Sequence, residues 1–337
     1  MKEFTVGADV DERRLDRWLA ATFGRISMAQ AQKIIRQEQV RVNGKHPKAD
    51  ARVHAGDAVR LYIPDEWFEP PEQKNDPFYG TFRWKLDVVY EDENVLLVDK
   101  RPGLLCHADA SEKVDTLVHH ARAYLYQKGE WRNEKGAFAP SLCNRIDRFT
   151  GGVVLIAKNE EALRTLDQKL RAHEIVKQYL CIARGRFDRE SGLLDGYLTH
   201  VGKRVEVSKR PSPGAQRAQT GFRVLCQRDG LALLECELFT GRTHQIRAQL
   251  AAAGHPLLGD AQYGRAEKGG RQYQALYAYR VTFAFRTDAG VLNGLRGKSF
   301  AVKTVPFARE YFPQYDLSTA LSRAENAKPS MQGGSLK

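Results

Sequence analysis

The residues best suited to chemistry fall in four short segments. The densest is SLCNRIDRFTGGVVLIAKN (141–159), where Arg145, Asp147 and Arg148 crowd into a loop just ahead of the apolar run 153–157. Thr150-Gly151-Gly152 lets the chain turn tightly between loop and strand. A carboxyl group flanked by two guanidinium groups has its charged form favoured, which suits Asp147 to nucleophilic attack or electrostatic stabilisation. From spacing alone, a loop aspartate beside arginines is more often a structural ion pair. In LFTGRTHQIRAQLAAAGHPLLGDAQYG (238–264), the pattern predicts a helix over 243–253 ended by Gly254. His244 and Arg247 share a face near its start, and Arg242 sits just ahead. Basic groups at a helix N-terminus oppose the helix dipole and call for an anionic partner, an internal acid or a phosphate. KQYLCIARG (177–185) reads as a strand with Tyr179 near its start, where a lone tyrosine is ordinarily core. YEDENVLLVDKRPGLLCH (90–107) reads as a buried strand over 95–98, with a turn at Pro102-Gly103 leading to His107.

These segments sit in a chain of 337 residues with 53 Lys+Arg against 41 Asp+Glu, a net charge of +12. That length allows roughly two domains with ample core. A hydrophobic content of 42% with 28% charged residues argues against disorder as the main state. No apolar run approaches the roughly 18 residues of a membrane span. The opening MKEFTVGADVDERR lacks the apolar stretch of a secretory signal, so no membrane association is expected. The 5 cysteines form no CxxC pair, which argues against a disulfide framework or zinc site and for the cytoplasm. The positive excess points to a polyanionic partner, nucleic acid foremost. It is uneven: +4 over 1–64, −6 over 65–100 and +14 over 101–337. The proline-rich stretch 64–77 reads as extended, so a linker is expected over 65–85 between a module at 1–64 and a domain at 86–315. Residues 316–337 read as a flexible tail.

In the module, Leu15, Trp18 and Leu19 predict one amphipathic helix, and Met28, Ala31, Ile34 and Ile35 a second with Ser27 as N-cap. VRVNG (40–44) predicts a strand with a tight Asn43-Gly44 turn, and 53–63 a further strand pair turning at Gly56-Asp57. Two short helices followed by strands around VRVNG resemble the alpha-L RNA-binding module first known from a small-subunit ribosomal protein. That resemblance implies a small α/β fold whose second helix and following turn face RNA. Arg25, Lys33, Arg36, Arg41 and Lys45 become candidate phosphate contacts, although a solvated basic face would look the same.

The four segments resemble the RluA-type pseudouridine synthases in order, spacing and detail, over about residues 86–310. The family's His-Arg-Leu-Asp loop followed by Thr-Ser-Gly corresponds to Asn144-Arg145-Ile146-Asp147 and Thr150-Gly151-Gly152. Its Lys-x-Tyr strand corresponds to Lys177-Gln178-Tyr179. Its Gly-Arg-Thr-His-Gln-Ile-Arg stretch stands unaltered at 241–247, and its Gly-His-Pro, Gly-Asp and Tyr-Gly elements follow within 254–264. Asn144, Ile146 and Gly151 depart from the usual His, Leu and Ser.

Short strands are expected near 88–90, 95–100, 152–157, 178–183, 205–208, 219–226, 231–239 and 278–285, and the stretch from Val205 to Phe239 reads as consecutive antiparallel strands. The resemblance implies an α+β catalytic domain on a long, bent, mixed and mainly antiparallel sheet, and conversion of uridine in RNA to pseudouridine. It implies no cofactor and no metal, in keeping with the lack of a phosphate-cradling loop, a dinucleotide glycine fingerprint or HExxH. It makes Asp147 the catalytic carboxylate, attacking the sugar's anomeric carbon or assisting a glycal-forming path, and Arg247 its partner. It makes Tyr179 a residue that packs on the target base or also assists proton removal from C5, and Arg145 one that enters the RNA. Arg242 and His244 support the site. The expected partner is RNA, ribosomal first and large-subunit within that, with transfer RNA still open; the expected enzyme is monomeric. Two rivals remain: a non-catalytic RNA-binding or ribosome-assembly factor, which would not need Asp147, Arg145, Tyr179 and Arg247 together, and an RNA methyltransferase, whose Gly-rich cofactor loop is not found.

Overall fold

The computed structural model describes the chain except residues 9, 11, 24–25, 49, 69–75, 135, 203, 265–270 and 317–337. It divides into two compact units, residues 1–75 and 76–337.

The first unit holds β1 (Lys2–Thr5), β2 (Arg13–Arg14), α1 (Leu15–Thr22), α2 (Met28–Arg36), β3 (Val40–Val42), β4 (Arg52–Val53) and β5 (Ala58–Leu61). Leu15, Trp18 and Leu19 are buried on one side of α1, and Ala31, Ile34 and Ile35 on one side of α2. Met28 breaks the expected stripe: at the first residue of α2 it is exposed. Ser27 does cap α2. Its Oγ accepts from Gln30 N while Gln30 Oε1 accepts from Ser27 N, satisfying two otherwise orphaned amides. Asn43 and Gly44 both take positive φ, 49° and 79°, the geometry of a hairpin turn that closes Val42 onto Lys45.

The strand pair expected over 53–63 does not form. β4 pairs with β2, and β5 lies between β1 and β3. The Gly56-Asp57 turn exists, but its backbone bonds to Val6: Val6 N donates to Asp57 O and Gly56 N to Val6 O. Those bonds tie the turn to the segment after β1, and the two flanking strands part to different partners.

The second unit holds α3 (Pro77–Thr81), β6 (Asp87–Glu91), β7 (Val95–Lys100), α4 (Leu117–Gln127), β8 (Ser141–Leu142), β9 (Gly151–Ala157), α5 (Glu160–Arg171), β10 (Ile175–Arg184), β11 (Ser191–Val201), β12 (Arg204–Ser208), β13 (Gln216–Arg228), β14 (Leu231–Leu238), α6 (Gln245–Ala252), β15 (Leu276–Phe283), β16 (Ser299–Ala301) and α7 (Pro306–Tyr311). Its 11-stranded sheet runs β12-β11-β13-β14-β10-β15-β9-β7-β6, with β16 added to β15 and β8 to β9. β9 and β15 pair in parallel, whereas the other neighbours described are antiparallel. Register shifts in β6–β7, β10–β15 and β13–β14 mark bulges, which bend strands locally.

Both sheet faces are covered. Leu96 and Val98 face a core shared with α4, α6 and Tyr179, while Val95 and Leu97 face one shared with α5 and α7. Burial on both sides explains why residues 95–98 of β7 are an unbroken apolar run.

Two expectations about boundaries change. Residues 76–84 belong to the second unit and do not form an extended linker. Asp76 caps α3, Pro77 takes its first position, and Tyr79 packs on Tyr126 and Trp131. Trp67 and Phe68 pack against the core of the first unit. The second change concerns β11, which inserts between β12 and β13, so the strands between Val205 and Phe239 do not pair simply in chain order. The tail expected at 316–337 lies, from residue 317, outside the described residues.

Candidate active site

Asp147 lies on a loop clamped at both ends. On the β9 side, Asn144 Oδ1 accepts from Leu155 N at 2.8 Å, and Cys143 N donates to Leu155 O at 2.8 Å. Asparagine at position 144 therefore has a structural use that histidine would serve differently. On the β7 side, the buried Lys100 ammonium donates to the carbonyls of Arg101, Leu104 and Arg148 at 2.8–3.1 Å. Burial, first among the causes, pulls its pKa down to about 8.

The turn into β9 needs glycine at two positions. At Gly152, φ is +120° and a Cβ would fall 2.2 Å from Ala278 O, where β9 and β15 meet in parallel. At Gly151 a Cβ would fall 2.3 Å from the Tyr277 ring. The departure from serine there is matched to a tyrosine that leaves no room for a side chain.

The arginines beside Asp147 in sequence do not pair with it. Arg148 turns away, donating to Gly103 O at 3.1 Å and Ser111 Oγ at 3.3 Å. Arg145 is exposed and makes no hydrogen bond or ion pair among the described residues. The partner is Arg247, from α6. Its Nη1 donates to Asp147 Oδ2 at 2.9 Å, while Nε and Nη2 grip Asp260 bidentately at 2.7 and 2.9 Å. Nη2 also reaches Gln262 Oε1 at 3.1 Å. Arg247 is only 6% exposed. Burial pulls its pKa down, but the bonds to Asp260 and Asp147 outweigh that and raise it. These acids answer the dipole conflict at the start of α6: the anionic partners are internal.

The expected helix over 243–253 begins two residues later, at Gln245. His244 adopts φ +55° in the left-handed region, so it precedes the helix instead of sharing its face with Arg247. The cause is local: Gln245 Oε1 accepts from Arg242 N and Thr240 Oγ1, folding residues 240–244 back over the helix start. His244 still reaches the site, with Nε2 3.9 Å from Asp147 Oδ2 and Nδ1 2.9 Å from Tyr263 Oη. Burial lowers its pKa against the opposite pull of Asp147. Tyr179, buried on β10, has its phenol pKa raised by burial first and by Asp147 next. Arg242 is exposed, with Nε donating to Arg217 O at 3.3 Å.

All six residues singled out in this domain line one cleft of about 590 Å³. Four further participants went unassigned at the sequence level. Asp260 holds Arg247, and Tyr263 holds His244 and covers Arg247 with its ring. Gln245 shapes the loop before α6, and Lys177 lines the cleft two residues before Tyr179. The Gly-Asp and Tyr-Gly spacing within 254–264 was the available signal for Asp260 and Tyr263.

In the first unit, Lys33, Arg36 and Lys45 are exposed and make no ion pair among the described residues, while Arg41 lies half-buried over the Tyr62 ring. Arg25 lies outside the described residues. Among the described residues no group of three or more His, Cys, Asp or Glu could hold a metal ion, and no helix is long and apolar enough to cross a membrane.

Comparison with known proteins shows the family and the fold. Residues 94–252 match the family described as RNA pseudouridylate synthase, and residues 13–59 match the S4 domain. An uncharacterised RNA pseudouridine synthase of Mycoplasma pneumoniae is 33% identical over 82% of this chain and 85% of its own length. Ribosomal large subunit pseudouridine synthase C of Escherichia coli is 31% identical, over 79% and 81%. The solved structure of human RNA pseudouridylate synthase domain containing 1 shares the fold, with a TM-score of 0.52 at 18% identity, over 73% of this chain and 97% of that one.

Proposed function

Since the chain belongs to the RNA pseudouridine synthase family, we propose that it isomerises uridines of large-subunit ribosomal RNA, with Asp147 as the catalytic group. The observation that carries this reading is the Asp147–Arg247 pair set in a cleft beside Tyr179. The reaction breaks the bond from C1′ to N1 of uracil and forms one from C1′ to C5. C5 gives up a proton, N1 regains one, and no redox partner is required. Asp147 would act on C1′ directly or assist a glycal-forming path. Arg247 holds its carboxylate in place, and Asp260 holds Arg247. The raised pKa of Tyr179 keeps it a neutral phenol at pH 7, which favours packing on the flipped base over acting as a phenolate base.

A target inside folded RNA must be extruded at a cost of a few kcal/mol. Arg145, exposed and without an ion pair among the described residues, would occupy the opened site, with Arg242 and His244 flanking the cleft. Lys33, Arg36, Arg41 and Lys45 of the S4 domain would grip phosphates. The large-subunit assignment draws on the relatives carrying that name. Action as a monomer in the cytoplasm belongs to the same proposal, the cytoplasm following from a ribosomal substrate. Residues 1–68 would be the binding module and 76–316 the catalytic domain.

The test is pseudouridine mapping of ribosomal and transfer RNA from cells carrying the intact gene, no gene, or D147N. The reading expects large-subunit sites to vanish in the latter two. Sites that persist with D147N would return the non-catalytic reading, and loss of transfer RNA sites alone would move the substrate.

A further inference from the structure

The cleft lining holds two cations, Lys177 and Arg171, that the catalytic reading does not use. Lys177 lies on the same face of β10 as Tyr179, two residues earlier, and both line the cavity. Its ammonium sits against Gly241, where a Cβ would come within 3.6 Å of Nζ. Lys177 is half-buried, yet it makes no hydrogen bond and no ion pair among the described residues. Burial has lowered its pKa, with no carboxylate pulling the other way. Arg171, the last residue of α5, lines the same cavity and is likewise without a hydrogen bond or ion pair among the described residues.

A partly desolvated ammonium with no partner is costly to keep. Elsewhere in the domain such groups are satisfied: Lys169 pairs with Glu174 at 2.8 Å, and Lys100 has three carbonyls. Near Lys177 the neighbouring acids are already engaged or face elsewhere. Asp147 is taken by Arg247, Glu174 by Lys169, and Glu237 alternates to the opposite face of β14 from Leu238, which lines the cleft. The lining holds five Lys and Arg against the single acid Asp147. Such a wall suits a strand of phosphates whose sugar is presented to the acid.

We propose that Lys177, with Arg171 of the same cleft lining, forms a subsite for an RNA backbone phosphate flanking the flipped uridine. The proposal rests on the synthase reading. Its role is positioning: by fixing a phosphate next to the target sugar, the subsite sets where C1′ lies relative to Asp147. Lysine suits this task as a compact point charge.

The experiment uses the full chain and a hairpin RNA carrying a uridine that the wild-type protein is found to modify. Binding is measured from 50 to 200 mM salt for wild type, K177Q and K177R, and for hairpins with a neutral methylphosphonate in place of the phosphate on either side of that uridine. K177Q should weaken binding about tenfold and lower the slope of log K against log salt by about one, with K177R keeping the slope. One of the two methylphosphonates should weaken wild-type binding and add nothing in K177Q. Melting temperatures of K177Q and K177R close to wild type guard against unfolding; if K177Q is unfolded, the K177R and methylphosphonate arms decide. An unchanged salt slope in K177Q, or losses that add fully at both phosphates, overturns the subsite alone. A wild-type chain that makes no pseudouridine in any RNA overturns the reaction itself.

Discussion

Replacing either acid that touches Arg247 removes one carboxylate from the same guanidinium, but the two losses should be opposite in kind. Asp260 is 1% exposed and accepts two bonds from Arg247 together with the amides of Gln262 and Tyr263. D260N leaves a buried cation short of its bidentate partner and puts an NH2 group where a donor already points. Breaking a buried pair this way costs about 3–5 kcal/mol. Since Asp147 still reaches Nη1, the lower end is expected, about 3 kcal/mol. For a domain of this size each kcal/mol moves the melting point by about 2–4 °C, so D260N should melt roughly 6–12 °C below wild type. The Asp147 side chain is 24% exposed and accepts a single bond from an arginine that keeps Asp260. D147N should cost about 1 kcal/mol or less, some 2–4 °C at most, while abolishing pseudouridine formation. Thermal and urea melts of the three proteins, with pseudouridine yield on ribosomal RNA measured in parallel, test both halves. The division of labour fails if D147N melts below D260N, or if D260N melts with wild type.

Three further outcomes follow from individual contacts. G151S should lose about 1–3 kcal/mol by overpacking against Tyr277, and in the Y277V background most of that cost should disappear; fully additive costs in urea denaturation would count against the clash. The triple change K33Q/R36Q/K45Q should lower the salt slope of RNA binding by roughly three while leaving the melting point within a degree or two, and an unchanged slope would remove the S4 domain from the phosphate contacts. The Glu91 pKa is lowered to about 2: burial raises it, but bonds from Tyr124, Lys128 and Lys158 outweigh that. Its contribution, on the order of 3 kcal/mol, is present above the unfolded value near 4.5 and lost as pH falls from there toward 2, so E91Q should flatten that limb of the stability curve; a limb as steep as wild type refutes the pairing.

Much of the site was legible because its residues come in short, dense motifs. Arg145, Asp147, Tyr179, Arg242, His244 and Arg247 could be named before any geometry was known. The pairing within the motifs was not legible by proximity. Asp147 has an arginine on either side, and neither is its partner; the partner lies 100 residues away. β11 escaped for a different reason. Its buried face carries Gly192, Leu194, Gly196 and Leu198, so two of four inward positions have no side chain, and the alternation that marks a strand is half erased. Gly196 lies tight against β12, where a Cβ would sit 3.0 Å from Ser208 O. The stretch around α3 misled because prolines were read as extension. In Asp76-Pro77 the aspartate caps and the proline occupies the first helical position, where its missing N–H is no loss.

The loop geometry also answers a difficulty built into any cleft that must hold one acid among many bases. An exposed arginine next to a carboxylate normally collapses onto it, which would leave Asp147 covered and the RNA-facing cation spent. Here two devices prevent that. Arg148 is anchored to Gly103 and Ser111, on the β7 side of the loop, so its charge is drawn off. Arg247 reaches Asp147 from α6 with one Nη1 bond while Asp260 neutralises it from behind. Within the trio of Arg247, Asp260 and Asp147, one cation faces two anions, so the acid aimed into the cleft is oriented without its charge being cancelled. That leaves Arg145, Arg171 and Lys177, which line the same cleft, without an acidic partner among the described residues. On the proposed reading an RNA strand would supply those partners as phosphates, and the residual negative charge on Asp147 would then meet the one part of the nucleotide that develops positive charge when the glycosidic bond breaks, the sugar at C1′.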